Sequence, residues 1–165
     1  MEFGETIWVT ICESLIFACI MGKIVALDYG QKRTGVAMTD ALQIIASGLT
    51  TVATTDLLVF LDKLLRDEDI ERIVVGEPKQ SRGNASGIEP EIMSFIKKLN
   101  EQQPDMPVVR FDERFTSKMA SRTMREAGLK KKKRQDKALV DQISATIILQ
   151  DYLKTTIWYI QLSLT

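Results

Sequence analysis

The chain of 165 residues contains no histidine and only two cysteines. The missing histidine excludes a Ser-His-Asp or Cys-His site, a histidine general base and a histidine-ligated zinc. Cys12 and Cys19 form neither a disulfide framework nor the spacing of a metal site, which is typical of proteins of a reducing cytoplasm. Catalysis is therefore expected to depend on carboxylates, lysines, arginines and hydroxyls, and carboxylate oxygens favour hard cations such as Mg²⁺ or Mn²⁺.

Positive charge is concentrated in one region, although the formal net charge is zero. Residues 110–154 hold 12 of the 22 basic residues and only 6 of the 22 acidic ones. This asymmetry indicates a localised anion-binding face, suited to nucleic acid, with a solvated helical surface as the alternative. The length suits one domain of ordinary size with a full apolar core.

The two ends of the chain differ from its middle. Residues 1–20 are apolar, but they lack the basic start of a signal peptide, and Glu13 interrupts the apolar stretch. The segment is also too short and too charged for a transmembrane helix, so no membrane contact is expected. We expect residues 1–20 to be an extension, residues 21–154 to form the domain and residues 155–165 to be a C-terminal tail.

The spacing of apolar residues predicts an α/β domain with the element order βββαβαβαα. The predicted strands cover about 24–29, 33–39, 44–52, 70–75 and 107–111. The predicted helices cover about 55–67, 116–127 and 137–153, with a further one carrying Ile92, Phe95, Ile96 and Leu99. Residues 79–87 and 128–136 are predicted to be loops, the second of them strongly basic.

The segment from Lys23 to Met38 is the most informative part of the chain. The apolar run Ile24–Leu27 ends at the carboxylate of Asp28, and a turn containing Gly30 follows. A strand that ends in an acid beside a glycine suits divalent-metal and phosphate chemistry. The alternative is a hairpin in which Asp28 merely begins the turn.

Further acids occur where they could join Asp28. Glu77 and the pair Asp112 and Glu113 follow predicted strands, and sites in open α/β sheets gather at strand ends. Asp141 lies on the last helix, in line with an apolar stripe formed by Ala145, Ile148, Leu149 and Tyr152. An acid on such a stripe is costly to bury unless it is paired or binds a metal, and a surface acid favoured by the helix dipole is the alternative.

Four ordered motifs resemble one family. They are LDYGQKRTGVA (27–37), VVGEP (74–78), FDERFTS (111–117) and DKALVDQISATIILQDYL (136–153), and together they are similar to the YqgF/RuvX family over about residues 21–154. Its members are described as Holliday-junction-resolvase-like proteins and as pre-16S rRNA nucleases. The resemblance implies an RNase H-like fold, with a five-stranded mixed sheet in the order 3-2-1-4-5 flanked by helices.

The resemblance also implies metal-dependent hydrolysis of phosphodiester bonds. Carried over by position, the catalytic and metal-binding acids are Asp28, Glu113 and Asp141. Glu77 departs from the family pattern, because many relatives have leucine at this position, and it is kept as a reserve metal ligand. A carboxylate cluster of this kind holds one or two Mg²⁺ or Mn²⁺ ions, which activate a water and stabilise the leaving 3′-oxygen.

Basic residues surround these acids in the sequence. Lys32, Arg33 and Arg114 are placed to contact phosphates, with solvent-exposed charges as the alternative. Two further groups are expected to bind the nucleic-acid backbone rather than its bases. The first lies on one helix face and comprises Lys118, Arg122 and Arg125; the second is the basic loop Lys130, Lys131, Lys132, Lys133 and Arg134.

The family resemblance leaves the substrate open. The first expectation is 5′-end processing of pre-16S rRNA in ribosome biogenesis, with ribosomal precursor particles as partners. The alternatives are a Holliday junction resolvase acting on branched DNA and a non-catalytic RNA- or ribosome-binding module. A phosphotransferase of the actin/Hsp70 type would need two copies of the domain, and the chain has one. Whether the active form is a homodimer also stays open.

Overall fold

The computed structural model describes residues 22–78, 87–112, 124, 128 and 136–163, with side chains of the last helix described through Thr156. A short 3₁₀ turn at Thr54–Asp56 precedes the first helix. In chain order, the strands and helices are β1 Lys23–Tyr29, β2 Arg33–Thr39, β3 Ala46–Ala53, α1 Leu57–Asp67, β4 Ile70–Glu77, α2 Glu89–Gln102, β5 Val108–Asp112 and α3 Lys137–Ser163.

The strands form a five-stranded mixed sheet in the order β3-β2-β1-β4-β5. β1 pairs antiparallel with β2 and parallel with β4, β2 pairs antiparallel with β3, and β4 pairs parallel with β5. Tight turns suffice for the antiparallel pairs, whereas each parallel pair needs a crossover, which α1 and α2 provide. The predicted α/β class and the strand order implied by the family resemblance are confirmed.

One face of the sheet carries large aliphatic and aromatic side chains. Leu27, Val36 and Val75 of the sheet pack against Leu61 of α1 and Phe95 of α2, in a cluster of buried residues. The leucines and isoleucines whose spacing predicted α1 and α2 all belong to this cluster or pack against it. The bulky face therefore supplies much of the buried apolar area that stabilises the domain.

The other face is built from small residues and is covered by α3. Ala26 and Ala37 of the sheet pack against Ala145, Ile148 and Leu149 of the helix. The helix approaches so closely that a Cβ atom at Gly35 would overlap the backbone carbonyl of Asp141. Only a glycine at this position allows α3 to lie so close to β2, so the close approach depends on Gly35.

Two element boundaries differ from the predictions. β3 begins at Ala46 rather than near residue 44, because the side chain of Asp40 accepts hydrogen bonds from the backbone N–H groups of Ile44 (2.8 Å) and Ile45 (2.7 Å) and holds them in a loop. These bonds also lower the pKa of Asp40. The last helix continues to Ser163 rather than ending at 153, so the predicted tail is largely helical.

The helix continues because nothing in this part of the sequence stops it. Residues 154–163 contain no glycine or proline. The hydroxyls of Thr155 and Thr156 donate to the carbonyls of Asp151 (2.9 Å) and Tyr152 (3.1 Å), which satisfies both side chains inside the helix.

Among the described residues, no helix is long and apolar enough to cross a membrane. The predicted helix 116–127 and the predicted loop 128–136 lie outside the described residues, apart from 124, 128 and 136.

Candidate active site

The end of β1 and the turn after it are tightly fixed. Asp28 lies within the β1–β2 ladder opposite Gly35, so the segment is a hairpin, but Asp28 does not begin its turn. The turn is closed by a hydrogen bond from the N–H of Gly30 to the carbonyl of Arg33 (3.1 Å). Thr54 anchors it further, since its hydroxyl donates to the carbonyl of Gly30 (2.6 Å) and its N–H to that of Lys32 (3.2 Å).

α3 delivers the second acid to the same place. Its first turn is capped by Asp136, whose carboxylate accepts a hydrogen bond from the N–H of Ala138 (3.0 Å). The stripe of Ala145, Ile148, Leu149 and Tyr152 is buried against the sheet. Because the helix contacts β2 at Gly35, and Gly35 pairs with Asp28, Asp141 is brought next to the end of β1.

The two acids interact electrostatically. Burial, and secondly the negative charge of Asp141, raise the pKa of Asp28 to about 6, while a hydrogen bond from the Ser144 hydroxyl acts in the opposite direction. Ser144 is itself buried, with 2% of its surface exposed, so it can hold the Asp28 carboxylate in one orientation. Two acids that share a partly buried position are destabilising without a cation, and a perturbed pKa of this kind is typical of functional sites.

Arg33 supplies one positive charge to this pair. Its Nε lies 3.1 Å from a carboxylate oxygen of Asp141, and both side chains remain partly exposed. Arg33 was predicted to contact phosphate, and the structure places it beside the acids, at the start of β2. Lys32 is exposed in the turn immediately before it.

Glu77 occupies a different side of the sheet. Ile73 and Val75 pack against α1 and α2, whereas Val74 packs against α3, so the alternation of β4 assigns Glu77 to the face opposite Asp28. Glu77 pairs in the ladder with Asp112 at the end of β5. This geometry favours Asp28 and Asp141 over Glu77 as members of one site.

The remaining predicted site residues lie outside the described part of the chain. These are Glu113, Arg114, Lys118, Arg122, Arg125 and the basic loop 130–134. Within residues 22–78, 87–112 and 136–163, no three histidine, cysteine or acidic side chains form a group that could hold a metal ion. The described residues thus supply two carboxylates of the predicted set of three.

Three residues of the site were not identified from the sequence. Ser144 follows Asp141 by three positions on the same helix, and that spacing could have indicated a shared face. Gly35 and Thr54 carried no such signal, because their roles depend on contacts with residues distant in the sequence. Gly35 allows α3 to approach, and Thr54 fixes the turn after Asp28.

Comparisons with known proteins agree with the family resemblance. A protein-family model described as "RuvX: Holliday junction resolvase" matches residues 22–155. A Bacteroides fragilis protein named "Putative pre-16S rRNA nuclease" is 58% identical over 135 residues, covering 82% of this chain and 98% of the relative. Proteins with the same name from Christiangramia forsetii and Porphyromonas gingivalis are 58% and 53% identical over 133 residues, each covering 81% of this chain and 98% and 96% of the relatives.

Proposed function

The chain belongs to the RuvX family, and from this membership we propose that it is a metal-dependent nuclease that processes the 5′ end of pre-16S rRNA. The single observation that carries the proposal is the convergence of Asp28 and Asp141 from β1 and α3, with the pKa of Asp28 raised by burial and by Asp141. The names of the relatives supply the substrate, since they are described as pre-16S rRNA nucleases.

The proposed metal ligands are Asp28, Glu113 and Asp141. Asp28 lies at the end of β1 and Asp141 on α3, whereas Glu113 directly follows β5, which β4 separates from β1 in the sheet. Support for Glu113 comes from Phe111, two residues earlier, whose ring packs edge-on against Tyr152 of α3 at a centroid distance of 5.8 Å, on the same side of the sheet as Asp28. Carboxylate oxygens fit Mg²⁺ or Mn²⁺, and a chain without histidine offers no softer nitrogen ligands for zinc.

The residues around the acids have distinct tasks in this proposal. Ser144 orients the Asp28 carboxylate through its hydrogen bond, and Arg33 balances the charge of Asp141. Asp28, Glu113 and Asp141 would hold the cation, and Arg33 would then be free to contact a phosphate oxygen of the substrate. A cation held there would supply an activated water and stabilise the leaving oxygen, so that no histidine base would be needed.

Binding of the nucleic acid is assigned to the basic residues near the acids. Lys32 lies in the turn after Asp28, and Arg114, Lys118, Arg122, Arg125 and residues 130–134 extend the positive charge along the chain. Such residues bind the phosphate backbone without reading its sequence. We further propose a cytoplasmic protein that acts on ribosomal precursor particles through a domain spanning residues 21–154. A homodimeric form is a secondary proposal that gel filtration would test.

A second candidate activity is the resolution of branched DNA. It is favoured by the matching family model, whose description names a Holliday junction resolvase. Both activities use the same carboxylates, so the site alone does not separate them. The two activities are distinguished by measuring the enzyme concentration that is needed to cleave each substrate, because the preferred substrate is cleaved at the lower concentration.

The test compares cleavage of a pre-16S 5′-leader RNA and of a four-way DNA junction in the presence of Mg²⁺ or Mn²⁺. We expect metal-dependent cleavage of the RNA, and we expect Asp28→Asn and Asp141→Asn each to lower kcat by about a hundredfold or more, because each removes a charge that holds the cation. Asp151→Asn, on the same helix, is the matched control. Its ion pair with Lys154 is exposed and contributes little. Near-native turnover of Asp28→Asn, folded by circular dichroism, would refute the mechanism.

A further inference from the structure

A cavity of about 460 Å³ lies on the face of the sheet opposite the two acids. It is bounded by the end of β1, the start of α1 and the first turns of α2. Its apolar wall consists of Tyr29, Leu58 and Phe95, and its polar wall includes Glu91, Ser94 and Lys98. The volume falls in the range of pockets that bind small organic groups.

The cavity is tied rigidly to the candidate active site. Tyr29 directly follows Asp28 in β1, and successive side chains of a strand point to opposite faces. The turn from Gly30 to Lys32 therefore separates the two sites, and this turn is held on the cavity side by Thr54 and by a hydrogen bond from Gln31 to Glu91 (3.1 Å). A single-stranded nucleic acid bound at the acids can reach the cavity by passing over this one turn, which carries Lys32.

The walls of the cavity favour a flat aromatic group over a phosphate. The ring of Tyr29 is supported from behind by Phe95, with centroids 5.2 Å apart and ring planes at 37°, so its orientation is fixed before any ligand arrives. Aromatic side chains of this kind stack unpaired bases in single-stranded nucleic acids. The carboxylate of Glu91 repels a phosphate but accepts hydrogen bonds from the N–H groups of a base.

We propose that this cavity binds one unstacked base of a single-stranded RNA substrate, within a few nucleotides of the bond that is cut. The base stacks on Tyr29, its N–H groups donate to Glu91, and Lys98 at the rim meets the adjoining phosphate. The inference rests on the proposed nuclease function and deepens it. The cavity and the acids lie on opposite sides of the turn. A base bound in the cavity would therefore determine which phosphodiester bond of the RNA lies at the acids.

The experiment measures binding separately from cleavage. A fluorescein-labelled single-stranded RNA from the pre-16S 5′ leader is titrated with the full chain in EDTA, together with a series of RNAs that each lack one base. We expect Tyr29→Leu to weaken binding of the intact RNA by about 5- to 150-fold, since base stacking on an aromatic residue contributes about 1–3 kcal/mol. Tyr29→Phe, which keeps the ring, should bind within about twofold of the wild type.

The decisive result is the coupling between protein and RNA. For one abasic position, Tyr29→Leu and the wild type should bind with the same affinity, because the stacking partner is already gone. If Tyr29→Leu weakens binding of every abasic RNA by the same factor as the intact RNA, the inference is wrong. A Tyr29→Leu effect of less than twofold on the intact RNA would also overturn it.

A second variant guards against loss of folding in Tyr29→Leu. Ser94 is exposed on α2 and lines the cavity, so Ser94→Leu fills the space without disturbing the core. Ser94→Leu should weaken binding of the intact RNA but not of the RNA with the same abasic position, whereas Asn100→Leu, exposed elsewhere on α2, should weaken neither. Failure here is distinguishable from failure of the proposed function. A wild type that shows the coupling but cuts no RNA refutes the nuclease, and one that cuts RNA without coupling refutes the base site.

Discussion

The two faces of the sheet differ in the size of their side chains, which are small on one face and large on the other. On the α3 face, Ala26, Gly35 and Ala37 meet Ala145 and bring the helix backbone onto the strands. On the other face, large side chains such as Leu27, Leu57, Leu61, Ile92 and Phe95 keep the helices apart from the sheet and bury the larger cluster. The acids lie on the first face. The close approach of α3 to the sheet therefore positions the two acids, and the large side chains of the other face stabilise the domain.

The difference follows from what each kind of residue can contribute. Burial of a leucine or phenylalanine side chain stabilises a domain by about 1.5–3 kcal/mol, and an alanine contributes much less. A face lined by glycine and alanine gives up that apolar area, but it lets two carboxylates from separate elements come close together. Substitutions that change one face and leave the other intact distinguish these two contributions.

The largest effect on the site is expected from Gly35→Ala. The new Cβ would overlap the backbone of Asp141 and lie 2.9 Å from the N–H of Gln142, so α3 must shift away from Asp28. A displacement of about 1 Å in a catalytic group can cost about a hundredfold in rate. We expect a loss of that size in cleavage and a matching loss of Mn²⁺ affinity, measured by calorimetry.

Gly48→Ala is the matched control for this change. It places the same methyl group on the neighbouring strand under the same helix, but there the nearest atoms belong to the side chain of Gln142, which can move. Metal affinity should stay within about threefold of the wild type. Equal losses in Gly35→Ala and Gly48→Ala would mean that the α3 face is sensitive everywhere, and the special role of Gly35 would be lost.

Leu61→Ala tests the bulky face. Leu61 is fully buried in α1, so its truncation leaves a cavity and should lower the free energy of unfolding by about 2–5 kcal/mol. Val59→Ala in the same helix, with Val59 75% exposed, should change it by less than about 0.5 kcal/mol. Urea denaturation measures both. The kcat of folded Leu61→Ala should equal that of the wild type, and a large drop would show that the two faces are not independent.

The smallest effect is a dependence on pH. The pKa of Asp28 is raised from 3.8 to about 6, so the folded, metal-free protein binds more protons than the unfolded chain between these values. The contribution of Asp28 to stability should therefore be greatest below pH 4 and fall as the pH rises towards 6, whereas Asp40 and Glu89, whose pKa values are lowered, contribute in the opposite direction. Affinity for Mn²⁺ should rise over the same interval, because the cation competes with the proton.

Thermal melting and calorimetry between pH 4 and 7 check both trends. Asp28→Asn carries no titrating group at this position, so the melting temperature of the wild type should fall relative to that of Asp28→Asn between pH 4 and 6. If the wild type and Asp28→Asn have parallel pH profiles, then Asp28 does not titrate in this range, and the electrostatic description of the site is wrong.

Periodic patterns predicted most of the fold, and long-range contacts account for what they missed. The leucines of α1 and the apolar stripe after Asp141 identified both helices and their buried sides. The end of α3 was missed because Thr155 and Thr156, which disfavour helices in isolation, satisfy their hydroxyls on the preceding turn. The family motifs predicted Asp28 and Asp141 as site residues, but the contact of α3 with Gly35 could not be predicted from either segment alone.

The position of the two acids in the chain also has a consequence in time. Asp28 belongs to the first strand and Asp141 to the last helix. Translation at about 5–20 residues per second delivers Asp141 some five to twenty seconds after Asp28. During that interval the nascent chain carries Asp28, and later the proposed ligand Glu113, without Asp141. The proposed site would thus stay incomplete until Asp141 has been added to the chain.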